Sequence, residues 1–240
     1  MSLSVNRRLT LIVQFVLDEL VPPILRDSRA LMYLPMRLVL GRHVSTYLDF
    51  KDRVFGYSDS EFAEVYRRVG TVAALQGDTD LNDRSVEAIL ADVGPGPVLE
   101  VGCGRGYLAG KLCAAGSMVT ATDIVVADSV ALRYPDVTFV HGNVGALPFS
   151  DRSFDTVVCT HTLEHVQDLQ AAVSELRRVA RRQLIIVVPR QRPYKYTFSL
   201  HVHFFPYRWS LQSALGLSEG AKVTDLGDWY IIEAQPDRAD

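Results

Sequence analysis

Three glycines, two acids and a group of histidines are the residues in this chain whose types and spacing suit chemistry. Val98-Leu99-Glu100-Val101 reads as a buried strand, and Gly102-Cys103-Gly104-Arg105-Gly106 directly after it provides a sharp turn through which backbone can approach a ligand closely. A helix starting at that turn would aim its free N–H groups and its dipole at the ligand. The spacing is G-x-G-x-G, not the G-x-G-x-x-G of dinucleotide enzymes. Glu100, just ahead of the first glycine, suits a ligand that carries an ammonium group better than one that carries a pyrophosphate. Asp123, at the end of the next apolar run, is placed to accept both hydroxyls of a ribose.

The second constellation is His161-Thr162-Leu163-Glu164-His165. A helix starting near His161 would put residues 161, 164 and 165 on one face, where they can converge on one point. His201 and His203 follow the fifth expected strand. Three readings stand side by side. His161, Glu164, His165 and His203 form a divalent-metal site that acidifies a substrate hydroxyl; His161 or His203 is a metal-free general base; or the polar groups serve only the fold.

Strand-length apolar runs alternate with segments of helical period from Asp83 onward, which predicts a parallel sheet with crossover helices. The expected strands are Pro97 to Val101, Met118 to Thr122, Val137 to His141, Phe154 to Thr160 and Gln183 to Val188. The expected helices are Arg84 to Ala91, Gly106 to Ala115, Val125 to Tyr134 and Asp168 to Arg181, with Arg181 and Arg182 at a helix C-terminus. Lys222 to Leu226 and Trp229 to Ala234, split by Gly227-Asp228, read as an antiparallel hairpin. Residues 1–80 lack this pattern and read as helices broken at Val21-Pro22-Pro23, near Pro35 and around Gly56-Tyr57-Ser58. The division is therefore a helical extension over 1–80 and an α/β domain over 81–240. The extension's apolar stretch Leu31 to Leu40, with basic residues nearby, suits a lid, an oligomer surface or, as the weaker reading, a membrane-surface contact.

The motifs together resemble class I S-adenosylmethionine-dependent methyltransferases of the UbiE-like small-molecule type. The resemblance runs through Val98 to Gly106, Val119-Thr120-Ala121-Thr122-Asp123, Gly142-Asn143-Val144-Gly145-Ala146-Leu147-Pro148-Phe149, Phe154-Asp155-Thr156-Val157-Val158 and Leu163-Glu164-His165-Val166, in that order. It implies a doubly wound α/β fold with a mostly parallel seven-stranded sheet. It also implies S-adenosylmethionine as cofactor, with Glu100, Gly102, Gly104 and Gly106 at the methionine end, Asp123 at the ribose, Asn143 and Val144 at the adenine, and Thr160 among the contacts. Asn143 stands where the family usually has Asp, and an amide oxygen can still accept from an amino group.

The histidine cluster resembles that of methyltransferases that hold a divalent ion near the methyl group. His161 in place of an acid would shift preference from magnesium toward manganese, iron or zinc. The H-x-x-E-H string also fits a zinc peptidase family, but it falls where a methyltransferase motif belongs, so that reading is set aside. The expected activity is methyl transfer to an oxygen, with nitrogen second, of a small-molecule or glycan-like acceptor. An RNA 2′-O-methyltransferase and a non-catalytic cofactor-binding partner subunit are the alternatives.

Composition narrows the partners. The 28 acidic and 25 basic residues leave a net charge of -3, so no overall basic field draws the chain to nucleic acid. Cys103, Cys113 and Cys159 form no CxxC pair and fit a reducing, cytoplasmic setting. Leu9 to Leu17 is too short for a membrane span and is followed by Asp18-Glu19, which reads as a helix and not a signal peptide. Pro189 to Tyr196, with three cations and two tyrosines after the fifth strand, is a candidate surface for an anionic acceptor. Oligomers remain compatible with all of this.

Overall fold

The computed structural model describes residues 16, 20–70, 78–196 and 198–235, so the run Leu9 to Leu17 lies outside the described residues except for Val16. The chain divides into two compact units. One takes the described part of Met1–Gly77 with Gln191–Phe204, and the other takes Asp78–Arg190 with Phe205–Asp240. The grouping of Gln191–Phe204 with the N-terminal helices has no counterpart in the sequence reading.

The N-terminal unit holds helices α1 (Pro23–Arg26), α2 (Arg29–Leu40), α3 (Val44–Arg53) and α4 (Asp59–Gly70). Met32, Met36 and Leu40, spaced one turn apart along α2, bury one face with Val44 and Leu48 of α3 and with Tyr196. The break expected near Pro35 does not occur, because α2 runs through it. Proline removes one helical N–H bond, and the carbonyl left over belongs to exposed Leu31, where water can satisfy it. Gln191–Phe204 packs on these helices. Asp27 accepts from the Lys195 backbone N–H at 2.8 Å, Lys51 donates to the Tyr194 carbonyl, and its ammonium lies 4.4 Å from the Phe204 ring centre. Tyr194 and Tyr196 are thus buried inside this unit and do not line a solvated acceptor loop.

The second unit is built on seven strands: β1 (Pro97–Val101), β2 (Met118–Asp123), β3 (Thr138–His141), β4 (Phe154–Thr160), β5 (Ala180–Pro189), β6 (Lys222–Asp225) and β7 (Asp228–Ala234). Their spatial order is β3-β2-β1-β4-β5-β7-β6, with β7 antiparallel to both of its neighbours. This is the doubly wound, mostly parallel sheet with a C-terminal antiparallel hairpin that the motifs imply. The crossover helices are α5 (Asp83–Asp92), α6 (Tyr107–Ala114), α7 (Asp128–Arg133) and α8 (Leu169–Val179), followed by α9 (Arg208–Leu215), which the sequence reading missed. Asn82 caps α5 by accepting from the Ser85 N–H at 2.9 Å, and Asp168 caps α8 by accepting from the Ala171 N–H at 2.9 Å.

Helix α8 ends earlier than expected. Arg181 and Arg182 lie in β5 rather than at a helix C-terminus, and both pair with the buried carboxylate of Asp155. Strand β4 is buried along its whole length, as a central strand covered on both faces must be. Leu169, Val173, Leu176 and Val179 of α8 cover one face, and Ile89, Leu108 and Leu112 cover the other.

One polar junction ties three elements of this unit together. Arg177 donates to both carboxylate oxygens of Glu233, at 2.7 and 2.8 Å, and to the Leu215 and Gly216 carbonyls at 3.0 Å each. Glu233 is buried, so removing its partner strands a charge. Arg177→Met is expected to cost about 3 kcal/mol in a urea unfolding midpoint, and Arg177→Met/Glu233→Met to recover part of that loss. A single variant as stable as the parent would show that the junction contributes nothing.

Candidate functional site

The order of winding reverses between β1 and β4, and in doubly wound sheets ligands bind outside the carboxyl ends of the strands at such a point. Gly102, Gly104 and Gly106, which follow β1, take φ of +77°, +50° and +73°. A Cβ on Gly102 would stand 1.8 Å from Thr162 Oγ1, and one on Gly106 would stand 2.9 Å from Val130 Cγ1. Gly104 differs, since a Cβ there would meet no atom within 4 Å. Its backbone is strained toward open space, the arrangement expected where a ligand comes close.

Two acids border this turn. Asp123 Oδ2 accepts from the Gly104 N–H at 2.8 Å and Oδ1 from the Val125 N–H at 3.0 Å, so the carboxylate fixes the loop and keeps lone pairs for further donors. Desolvation raises the Asp123 pKa, opposed by these backbone bonds and by neighbouring His141. Glu100 is buried in β1, and its Oε2 has no hydrogen-bond partner among the described residues. Burial pushes its pKa up to about 8, although the Ala109 N–H works in the other direction. A buried carboxyl oxygen without a donor costs free energy unless something charged completes it.

Asn143 Oδ1 accepts from the Gly145 N–H at 2.9 Å, closing a turn that aspartate would close equally well. Val144 packs against the core, and Thr160 is buried at the end of β4, its carbonyl accepting from Thr162 Oγ1 at 3.0 Å. The carboxyl ends of β1 to β4 therefore carry Glu100, the glycine turn, Asp123, Asn143 and Thr160 together. The hollow lined by Val93–Gly96 and Ala115–Met118 is at the opposite, amino ends of β1 and β2.

The helix expected to start near His161 is absent: residues 161–165 form turns, and the next helix is α8. His161 takes a left-handed backbone, φ +47°, and its N–H donates to the Val187 carbonyl of β5 at 2.9 Å. Its ring lies between two carboxylates, with Nδ1 3.4 Å from Glu164 and Nε2 3.4 Å from Asp228. Burial opposes the ring's charge, but the two carboxylates outweigh it and raise the pKa to about 10. This pairing favours the protonated ring, the form that offers no lone pair to a proton or a metal. Asp228 also accepts from the Asn82 amide at 2.7 Å, so the cluster reaches the cap of α5. His165 closes the turn by donating its N–H to the Thr162 carbonyl at 3.0 Å. His203 and His201 belong to the N-terminal unit, where His201 Nδ1 lies 2.7 Å from Gln191 Oε1. Asp228, Asn82 and Thr162 were not among the sequence candidates. Asp228 was legible only as part of a hairpin turn.

A doubly wound sheet with a glycine turn and two acids at its switch point defines a Rossmann-like unit for a ligand with ribose and ammonium groups. Residues 99–188 match the family model described as a methyltransferase domain, and this unit is similar to class I S-adenosylmethionine-dependent methyltransferase domains. A relative from Mycolicibacterium smegmatis, designated a probable S-adenosylmethionine-dependent methyltransferase, is 39% identical over 166 residues, which is 59% of this chain and 64% of that one. The demethylmenaquinone methyltransferase of a Mycobacterium species is 34% identical over 120 residues, 50% of this chain and 51% of that one. The chain thus spans about half to two thirds of the length of these relatives. In fold it is similar to the 1,6-didemethyltoxoflavin-N1-methyltransferase of Burkholderia thailandensis, with a TM-score of 0.54 at 20% identity over 75% of this chain and 87% of that one.

Because Glu100 is held neutral well above the usual carboxylate range, folding stability is present below its unfolded pKa and lost as pH rises through about 8. Glu100→Gln removes that loss. Its melting temperature at pH 9, without ligand, should exceed that of the parent by roughly 5 °C or more, with the two converging near pH 4. Equal melting points at pH 9 would mean that the ionised carboxylate is already satisfied. For His161, imidazole nitrogen chemical shifts at pH 7.5 should be those of the doubly protonated ring, and a neutral tautomer would contradict the paired geometry.

Proposed function

We propose that this chain transfers the methyl group of S-adenosylmethionine to an oxygen of a small-molecule acceptor, with nitrogen as the alternative atom. The observation that carries the reading is the uncompensated Glu100 Oε2, buried beside a left-handed glycine turn whose central residue faces open space. That donor-poor carboxyl fits the ammonium of a methionine moiety, and the lone pairs of Asp123 fit ribose hydroxyls. Asn143 and Val144 would hold the adenine, and Thr160 would border the same ligand. When bound, S-adenosylmethionine would supply a methyl group activated by its sulfonium: the acceptor's lone pair forms the new bond, the S–C bonding electrons stay on sulfur, which becomes a neutral thioether, and the acceptor gives up its proton. The protein's part is to orient it and to exclude water. His161 contributes a fixed positive charge behind the turn after β4 rather than a base.

The site makes cofactor binding a proton-linked event. Ionised Glu100 is the form that binds an ammonium, so below pH 8 binding should release close to one proton from this carboxyl. Titration calorimetry in buffers of different ionisation enthalpy measures that release, and affinity should rise from pH 6 to pH 8 by roughly tenfold per unit at the steepest. Glu100→Gln should weaken binding and abolish the release. Binding with no proton release would overturn the assignment of Glu100.

Transfer itself is tested by following labelled methyl from S-adenosylmethionine into small-molecule, glycan and RNA fractions of a host extract. Chelator and added manganese, zinc, iron or magnesium in parallel arms address the metal reading of Glu164, His165 and His203. Label in the small-molecule fraction is the expected result. Label confined to RNA, or none despite cofactor binding, would overturn the proposed acceptor class.

A further inference from the structure

Helix α2 is apolar on two opposite faces, and its own unit covers one of them. Met32, Met36 and Leu40 are buried against α3, while Leu31, Leu34 and Leu38, on the far side of the helix, are 55%, 64% and 79% exposed. Ile24 of α1 extends this exposed set at 81%. A helix apolar all round belongs in apolar surroundings on both sides, and a contiguous exposed apolar patch marks a contact surface.

Charge selects what kind of surface. From Ser28 to Leu48 the chain contains no aspartate or glutamate and three arginines, although the whole protein carries -3. Arg29 is paired with Asp49 at 2.6 Å. Arg37 donates to the Gly41 carbonyl at 3.3 Å and Arg42 to the His43 ring at 3.2 Å, so both bond neutral groups, and no carboxylate among the described residues pairs with either. A second copy docking this face on itself would bring together two segments that both carry arginines and contain no acidic residue to pair with them. A surface that is apolar inside and negative at its rim matches both features. Among the described residues no helix is long and apolar enough to cross a membrane, so the contact lies on such a surface and does not span it.

We propose that the exposed face of α1 and α2 docks the protein peripherally on a lipid bilayer containing anionic headgroups, with Ile24, Leu31, Leu34 and Leu38 inserted at the acyl boundary and Arg37 and Arg42 among the headgroups. The proposal is independent of the methyl-transfer reading. The test is sedimentation of the full chain with vesicles of phosphatidylcholine alone and of phosphatidylcholine with phosphatidylglycerol, over a salt series. Binding to the mixed vesicles at least roughly tenfold tighter than to the neutral ones, weakening as salt rises, is expected. Leu34→Ser/Leu38→Ser should abolish binding with circular dichroism and melting point kept. Arg37→Gln/Arg42→Gln should remove the preference for anionic lipid.

Parent protein that stays in solution with the mixed vesicles overturns the proposal, as does a leucine variant that sediments like the parent. A parent that fails to bind vesicles but sediments in the ultracentrifuge as a dimer, with the leucine variant a monomer, would assign the face to a second copy instead.

Discussion

The contact between the backbone of Gly102 and the side chain of Thr162 holds this site together. It brings the turn after β1 against the turn after β4, the two strands at which the winding reverses. No Cβ fits there, so the strand must be followed by glycine and the backbone must turn left-handed. With the turn pressed to that side, its N–H groups point toward β2, where Gly102 and Cys103 donate to the Thr122 carbonyl and Gly104 to Asp123. The acid at the tip of β2 is then held within reach of the same opening as the acid in β1.

The central strands were legible because they are buried on both faces and read as mostly apolar runs bounded by turn residues. Phe154–Thr160 and Pro97–Val101 stand at the residues expected for them. Ends were legible only where a local signal marked them. Asp168 announced α8, whereas nothing local told Ala180 and Arg181 that pairing with β4 would take precedence over one more helical turn. Helix α9 was missed because only Leu211 and Leu215 of its eight residues are buried, too few to display a period. Pro35 misled because its cost depends on whether the carbonyl it orphans faces water, which is a property of packing.

The site divides in the same way. Glu100, the glycines and Asp123 were legible because they lie at a strand end or in the turn that follows it, where the backbone settles their direction. The histidine cluster was not. Its members were read at helical spacing, but the segment folds as a turn, and the carboxylate that completes it, Asp228, comes from a hairpin 67 residues away. Sequence spacing carries no signal for a partner delivered by an antiparallel strand inserted next to β5. The histidine read as a base or ligand lies between two carboxylates, which raise its pKa.

The buried charges follow opposite rules on the two sides of this edge. Behind the turn after β4, the charged neighbours come from the protein itself, with His161 3.4 Å from Glu164 and 3.4 Å from Asp228. In front of it, Glu100 keeps an oxygen with no donor and is held neutral by burial. A protein selected for stability alone would give that oxygen a partner or replace the acid with an apolar residue, since an unsatisfied buried carboxyl costs free energy. Retaining it makes the ligand-free state less stable and makes a cationic ligand the missing half of an ion pair. On the proposed reading, selectivity for an ammonium-bearing ligand arises from what the fold leaves incomplete as much as from the contacts it makes.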